Sequence, residues 1–263
     1  MTRYLRSEEV GTPTIARRRV WPLVTALLAG LLALGILVMC LGNYQVAPST
    51  VAKILVGQIP GIHADVTWPR AVETVVLHVR LPRTLGAMCV GAALALSGAT
   101  YQGVFRNPLV SPDLLGVSAG ACVGAASAIL LHTGRASLQV MALATGLAAV
   151  ALATFIPRLL RNTSTMTLIL SGVIVAGLMN STLGLFKYIA DPETELADIT
   201  YWMMGSLAGA RWDHMALIGG IVALAVLFFW SQSRILNLML EGETAAIPLG
   251  RPLLPFMRLY LGL

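Results

Sequence analysis

The sequence predicts an all-α, polytopic membrane helix bundle with six full transmembrane helices and the start of a seventh. Three observations carry this. Only 11% of the 263 residues are charged and 57% are hydrophobic, where soluble domains carry about 25% charged residues. The deficit runs through the whole length, with a mean hydropathy of +0.79. Six apolar runs also meet or approach the roughly 20 helical residues needed to cross a core of about 30 Å. Transmembrane strands need polar and apolar residues to alternate over about ten positions, and no segment does so.

Residues 1–19 form an N-terminal tail, and residues 20–263 a single membrane domain. The first run, Val20–Leu41, follows Arg17-Arg18-Arg19 and reads as a retained helix. It is longer than the 7–15 apolar residues of a signal peptide, and no A-x-A site follows. Leu37-Val38-Met39-Cys40 has methionine where a lipoprotein cleavage site wants a small residue. The second run is Leu85–Phe105. Pro108 and Pro112 then make Arg106–Asp113 a turn, and Leu114–Leu131 is the third run, with Asp113 beside the positive end of its dipole. Leu138–Leu160 and Met166–Phe186 follow. Tyr201–Ala210 is too short to span and reads as a short surface or re-entrant helix. Met215–Trp230 is the sixth run. Phe256–Leu263 begins a seventh that reaches only about 12 Å.

The formal charge of +6 raises the possibility of nucleic acid, but its placement argues against that. With the N-terminus inside and six alternating spans, the inner side holds eleven basic and five acidic residues, and the outer side seven of each. The excess obeys the positive-inside rule, so the predicted location is the cytoplasmic membrane with a cytoplasmic N-terminus, and no nucleic-acid partner. Cys40, Cys89 and Cys122 fall in separate spans with no C-x-x-C pairing. They read as small hydrophobes rather than a disulfide framework or metal site.

Three function classes are weighed against the motifs. Gly116-Val117-Ser118-Ala119-Gly120 matches G-x-S-x-G, but a nucleophile elbow needs a preceding strand and a histidine partner. A proline-broken turn precedes it, and all four histidines fall at or beyond the outer span ends. A Walker A loop needs a lysine, and neither Lys53 nor Lys187 fits one. An ion-coupled transporter carries ionisable groups inside its spans, and the only charged residue within the six runs is Arg158, at the inner end of the fourth.

Four blocks together resemble the FecCD-type permease subunit of ABC importers for iron-siderophore, haem and cobalamin. They are "RLPRTLGAMCVGAALALSGATYQGVFRNPLVSPDLLGVSAGA" (Arg80–Ala121), "TSTMTLILSGV" (Thr163–Val173), "YWMMGSL" (Tyr201–Leu207) and "EGETAAIPLG" (Glu241–Gly250). The resemblance implies a ten-span permease that pairs with a second copy or homologue, an ATP-binding subunit and an extracytoplasmic substrate-binding protein. It implies no enzyme activity and no cofactor in this chain, ATP being bound by the partner. The cargo it implies is a ferric siderophore, with haem or cobalamin as the alternative. Against ten spans, the chain is expected to be truncated, frame-shifted or one half of a split permease. It would then insert six helices and transport only when the remainder is supplied in trans.

The resemblance also assigns residues. Arg80 and Arg83 match the R-L-P-R arginines that dock acidic residues of the binding protein, for which a planar guanidinium is suited. Pro82 between them suits a helix start; the alternative role is interfacial anchoring. Ser164 and Thr165 match the cytoplasmic gate, and helix capping explains the same residues. Gly242, Glu243, Ala245, Leu249 and Gly250 match the segment that couples to the ATPase, although Ile247 and Pro248 depart from the family's polar pair. Gly116, Gly120 and Gly124 fall on one predicted helix face, where small residues let helices pack closely in lipid. Ala93, Ser97 and Gly86 in the second run and Gly172 and Ala176 in the fifth suit the same task. Tyr201, Trp202 and Trp212 read as interfacial anchors.

Overall fold

The computed structural model describes residues 16–61, 66, 68–105, 107, 108, 110–162 and 164–232. The candidate coupling residues Gly242, Glu243, Ala245, Leu249 and Gly250 and the predicted seventh helix lie outside them. The described elements are all helical, and five helices are long and apolar enough to cross a membrane, with a shorter apolar helix, Val117–Leu130, beside them. The chain forms two compact units, Met1–Leu85 and Gly86–Leu263.

In the first unit, α1 (Ala16–Cys40) is apolar on every side. Leu27, Leu28 and Leu32 are exposed, as suits a helix whose surroundings are hydrocarbon. In its last turn Met39 and Cys40 are buried and pack with Val46, Val51, Ile54, Val72 and Val76. Val51 and Ile54 come from α2 (Pro48–Gly57), which opens with proline in its first turn, where no N–H is missed.

α3 (Arg70–Thr74), a π-helical turn (Val75–Arg80) and α4 (Leu81–Phe105) run on as one helix of 36 residues. The second span therefore begins upstream of Leu85, and Pro82 lies inside a helix rather than at its start. The widened turn explains this. Proline has no N–H and crowds the carbonyl four residues back, while Leu81 just before it bonds five back, to the Val76 carbonyl. The π-turn makes room for a ring that would crowd a regular α-turn.

The side chain of Arg80 closes this unit. Its Nη1 donates to the Met39 carbonyl at 2.6 Å, and Nη2 donates to the Tyr44 carbonyl. Met39 is in the last turn of α1, where carbonyls lack helical donors. Gly42 lies between the two acceptors with φ +146°, and a Cβ there would stand 2.7 Å from Nη2.

In the second unit, α5 (Val117–Leu130) packs against α6 (Gly134–Leu159), α7 (Thr165–Ile189) and α8 (Glu195–Met204). α5 has 14 residues, about 21 Å of helix, so the third predicted span is shorter than Leu114–Leu131. Its start moves to Val117 because Gly116 takes a left-handed φ of +74°. Asp113 stays outside the helix but still serves its positive end: Oδ1 accepts the Ser118 N–H at 3.1 Å. α9 (Trp212–Ser231) follows α8, and its Met215 is buried at the place a Cβ on Gly86 would occupy.

The three glycines divide their work. A Cβ on Gly116 would stand 3.2 Å from the α7 backbone at Ala176, whereas Gly120 and Gly124 face α6. A Cβ on Gly120 would meet Ala149 Cβ at 2.7 Å, and one on Gly124 would collide with Thr145 Oγ1 and the Met141 carbonyl. Gly172 on α7 comes equally close to the Leu114 carbonyl. Close approach in lipid is gained this way, by removing side chains. Ala93 is exposed, and the Ser97 hydroxyl bonds within its own helix, to Leu94.

Two predictions test these contacts. Gly124→Ala lowers unfolding stability in detergent by about 1–3 kcal/mol through overpacking. Gly177→Ala, where a Cβ meets nothing within 4 Å, is neutral or stabilising by up to about 1 kcal/mol. Equal losses at both sites contradict the packing account. Arg80→Ala costs about 1.5–3 kcal/mol, the worth of charged hydrogen bonds. Arg80→Lys recovers only part of this, because an ammonium cannot reproduce the two-armed geometry; full recovery contradicts the clasp.

Candidate functional site

The α6–α7 hairpin carries Ser164 and Thr165 at its connecting end. α6 finishes in a Schellman arrangement: the Arg161 N–H donates to Arg158, the Asn162 N–H donates to Pro157, and Arg161 takes φ +52°. α5 ends the same way, with His132 at φ +51° and the bonds His132 to Ile129 and Thr133 to Ala128. Glycine is the usual residue at these positions, so nothing in the sequence announces either motif.

Asn162 then hands the chain to α7. Its Oδ1 accepts the Ser164 N–H at 3.2 Å. Ser164 is the N-cap of α7, its Oγ accepting the Thr167 N–H at 3.2 Å and lying 2.8 Å from Thr167 Oγ1. Capping is therefore the observed work of Ser164. Thr165 is the first residue inside the helix, and both are exposed.

Further along, α6 contains Pro157, which is fully buried. Proline lacks the N–H that would reach the Ala153 carbonyl, four residues earlier. The Ser171 hydroxyl on α7 stands 2.6 Å from that carbonyl and 2.8 Å from the Leu168 carbonyl of its own helix. Ser171 is 2% exposed and Ala153 0%. The sequence reading did not single out Ser171 or Asn162. The available signal was a proline inside an apolar run, with a hydroxyl residue in the next run to replace its missing donor.

Arg83 is exposed near the start of α4. Arg80, three residues before it, turns its guanidinium to its own chain. Ser118 is exposed in the first turn of α5, where its N–H serves Asp113. Among the described residues no group of three His, Cys, Asp or Glu side chains is placed to hold a metal. A groove of about 710 Å³ runs along α6 past Leu147, Ala151 and Phe155 to Arg158. Its wall is mainly apolar and presents one charged group.

At the opposite end of α7, Asp191 orders the turn into α8. Its Oδ1 accepts the N–H groups of Glu193 at 2.9 Å and Thr194 at 3.0 Å, and the Thr194 hydroxyl at 3.1 Å. The Glu193 N–H, followed by the two Thr194 donors, holds its carboxyl below the usual aspartate range. Glu195 Oε2 accepts the Asp191 N–H at 2.9 Å, while Oε1 lies 3.3 Å from His132 Nε2. A carboxyl depressed in the folded state contributes stability above its unfolded value of about 3.9 and loses it as pH falls through the lower folded value. The turn is therefore intact at neutral pH and loosens only in strong acid. Followed by NMR, the Asp191 carboxyl titrates below about 3.9, and Asp191→Ala increases protease nicking of the turn at neutral pH. Titration at or above the ordinary value contradicts this role.

The model of the FecCD transport family matches residues 30–261. The molybdate import system permease protein MolB of Haemophilus influenzae is 34% identical over 215 residues, covering 82% of this chain and 63% of its own. The vitamin B12 import system permease protein BtuC of Salmonella paratyphi A is 43% identical over 188 residues, 69% of this chain and 55% of its own. This chain thus spans about three-fifths of the length of these curated relatives. A solved structure, described as an inward-facing metal-chelate type ABC transporter, superposes with a TM-score of 0.76 at 31% identity. The match covers 91% of this chain and 71% of that one. With its apolar helices, short central α5 and family match over most of its length, this chain belongs to the FecCD transport family.

Proposed function

We propose that this chain supplies the transmembrane part of an ABC importer, in the cytoplasmic membrane with its N-terminus inside, carrying a metal chelate of the ferric-siderophore class. The observation that carries the reading is the family match over residues 30–261, supported by the likeness to a metal-chelate type transporter. A second reading, cobalamin, is favoured by the 43% identity to a vitamin B12 permease. ATP binding and hydrolysis are assigned to a partner subunit, and substrate delivery to an extracytoplasmic binding protein. The cargo passes between this permease and a second copy or homologue.

Residue roles follow within that reading. Arg80 and Arg83 are assigned to docking of the binding protein on their match to the R-L-P-R pattern, Arg80 also donating to the Met39 and Tyr44 carbonyls. Ser164 and Thr165 line the cytoplasmic gate, where small hydroxyls narrow a path without binding tightly. The segment Glu241–Gly250 is assigned to ATPase coupling on its sequence pattern. The groove along α6 is not assigned to the cargo, since its apolar wall offers little to a charged chelate.

The test is purification in detergent with an ATP-binding subunit and a binding protein of this importer family, followed by ATP hydrolysis with and without each chelate. Co-purification and stimulation by a ferric siderophore are expected. Stimulation by cobalamin alone selects the second reading. Uptake without ATP, driven by a proton gradient, overturns both. Arg83→Glu weakens capture of the binding protein while membrane insertion is retained, by about 2–5 kcal/mol where the contact is buried and hydrogen-bonded. Unchanged capture removes Arg83 from docking.

A further inference from the structure

We propose that Ser171 is a positioning residue that fixes the register of α7 on α6 by donating its hydroxyl proton to the main-chain carbonyl that Pro157 releases. One proton faces two acceptors, the Ala153 carbonyl at 2.6 Å and the Leu168 carbonyl at 2.8 Å. A hydroxyl has a single proton to give. Leu168 lies in an uninterrupted helix whose own N–H groups serve its carbonyls. Ala153 has lost its helical donor to Pro157 and is fully buried, away from bulk water. The need lies on α6, and the proton goes there. A neighbouring hydroxyl that re-satisfies a proline-freed carbonyl is one of the ways a membrane helix tolerates proline.

The bond also closes a circuit. From Ala153 the chain reaches Pro157, whose carbonyl accepts the Asn162 N–H. Asn162 Oδ1 accepts the Ser164 N–H, and Ser164 Oγ accepts the Thr167 N–H. One turn further on, Ser171 returns to Ala153. The end of the hairpin is thus held at two points, the Asn162–Ser164 turn and the Ser171–Ala153 bond. Sliding α7 along α6 would break the second and leave a buried carbonyl bare. Ser164 and Thr165 are held in place by this circuit. The functional importance of that placement rests on the gate reading above, whereas the coupling of Ser171 to Pro157 does not.

A double-mutant cycle read by amide hydrogen exchange separates coupling from simple packing. The full chain in lipid nanodiscs is compared as wild type, Ser171→Ala, Pro157→Ala and the double variant, following peptides over Leu168–Val175. In Pro157→Ala the new N–H at position 157 serves the Ala153 carbonyl, so Ser171 has nothing left to supply. Ser171→Ala is expected to speed exchange by about three- to about twentyfold in the native background, the range measured for interhelical hydrogen bonds in membranes. In the Pro157→Ala background it is expected to change exchange by less than about twofold. The same acceleration in both backgrounds, or none in the native one, overturns the proposal. The cycle needs no transport, so a chain that proves not to be an importer leaves this result readable.

Discussion

The Ala153 carbonyl is the point at which the second unit meets its strictest requirement. Proline at position 157 frees it, burial keeps water from it, and a bare carbonyl in such surroundings costs several kcal/mol. Ser171 answers from the adjacent helix at 2.6 Å. The same requirement is met elsewhere by different means. The ends of α5 and α6 fold back into left-handed turns at His132 and Arg161. In the first unit, the last turn of α1 takes a donor from the guanidinium of Arg80, which also serves the Tyr44 carbonyl just beyond it. In each case a carbonyl left by a helix end or a proline is satisfied within the protein, as a bilayer demands.

Close approach of backbones is the other half of the design. Helices gain little by hiding apolar surface from equally apolar lipid, so contact depends on fit. Gly120 and Gly124 give α6 access to the α5 backbone, and Gly172 gives α7 access to the Leu114 carbonyl. Close packing is what lets Ser171 reach across at hydrogen-bond distance: a short hydroxyl spans only a narrow gap. Small residues and hydroxyl donors thus cooperate in one bundle.

Helix positions were largely legible in the sequence, because apolar runs of sufficient length have one stable form in a bilayer. Two starts were not. A π-turn carries the helix through Pro82, and the left-handed Gly116 delays α5 past Leu114; both are backbone geometries to which composition is blind. The cap at Ser164 was legible as local chemistry, a hydroxyl just before a helix. The role of Arg80 was hidden because its acceptors lie 41 and 36 residues away. Ser171 escaped notice for a related reason: its acceptor exists only because of a proline on another helix.

The Ala153 carbonyl can be observed directly. Labelling alanine with ¹³C at the carbonyl and threonine with ¹⁵N isolates the Ala–Thr peptide links, of which the sequence has three, at Ala99, Ala144 and Ala153. Solid-state NMR of the full chain in lipid then resolves three carbonyl signals. The account predicts that Ser171→Ala moves one of them upfield, as a carbonyl that loses its donor, and leaves the other two in place. Three signals unmoved by that substitution would show that the Ala153 carbonyl does not depend on Ser171.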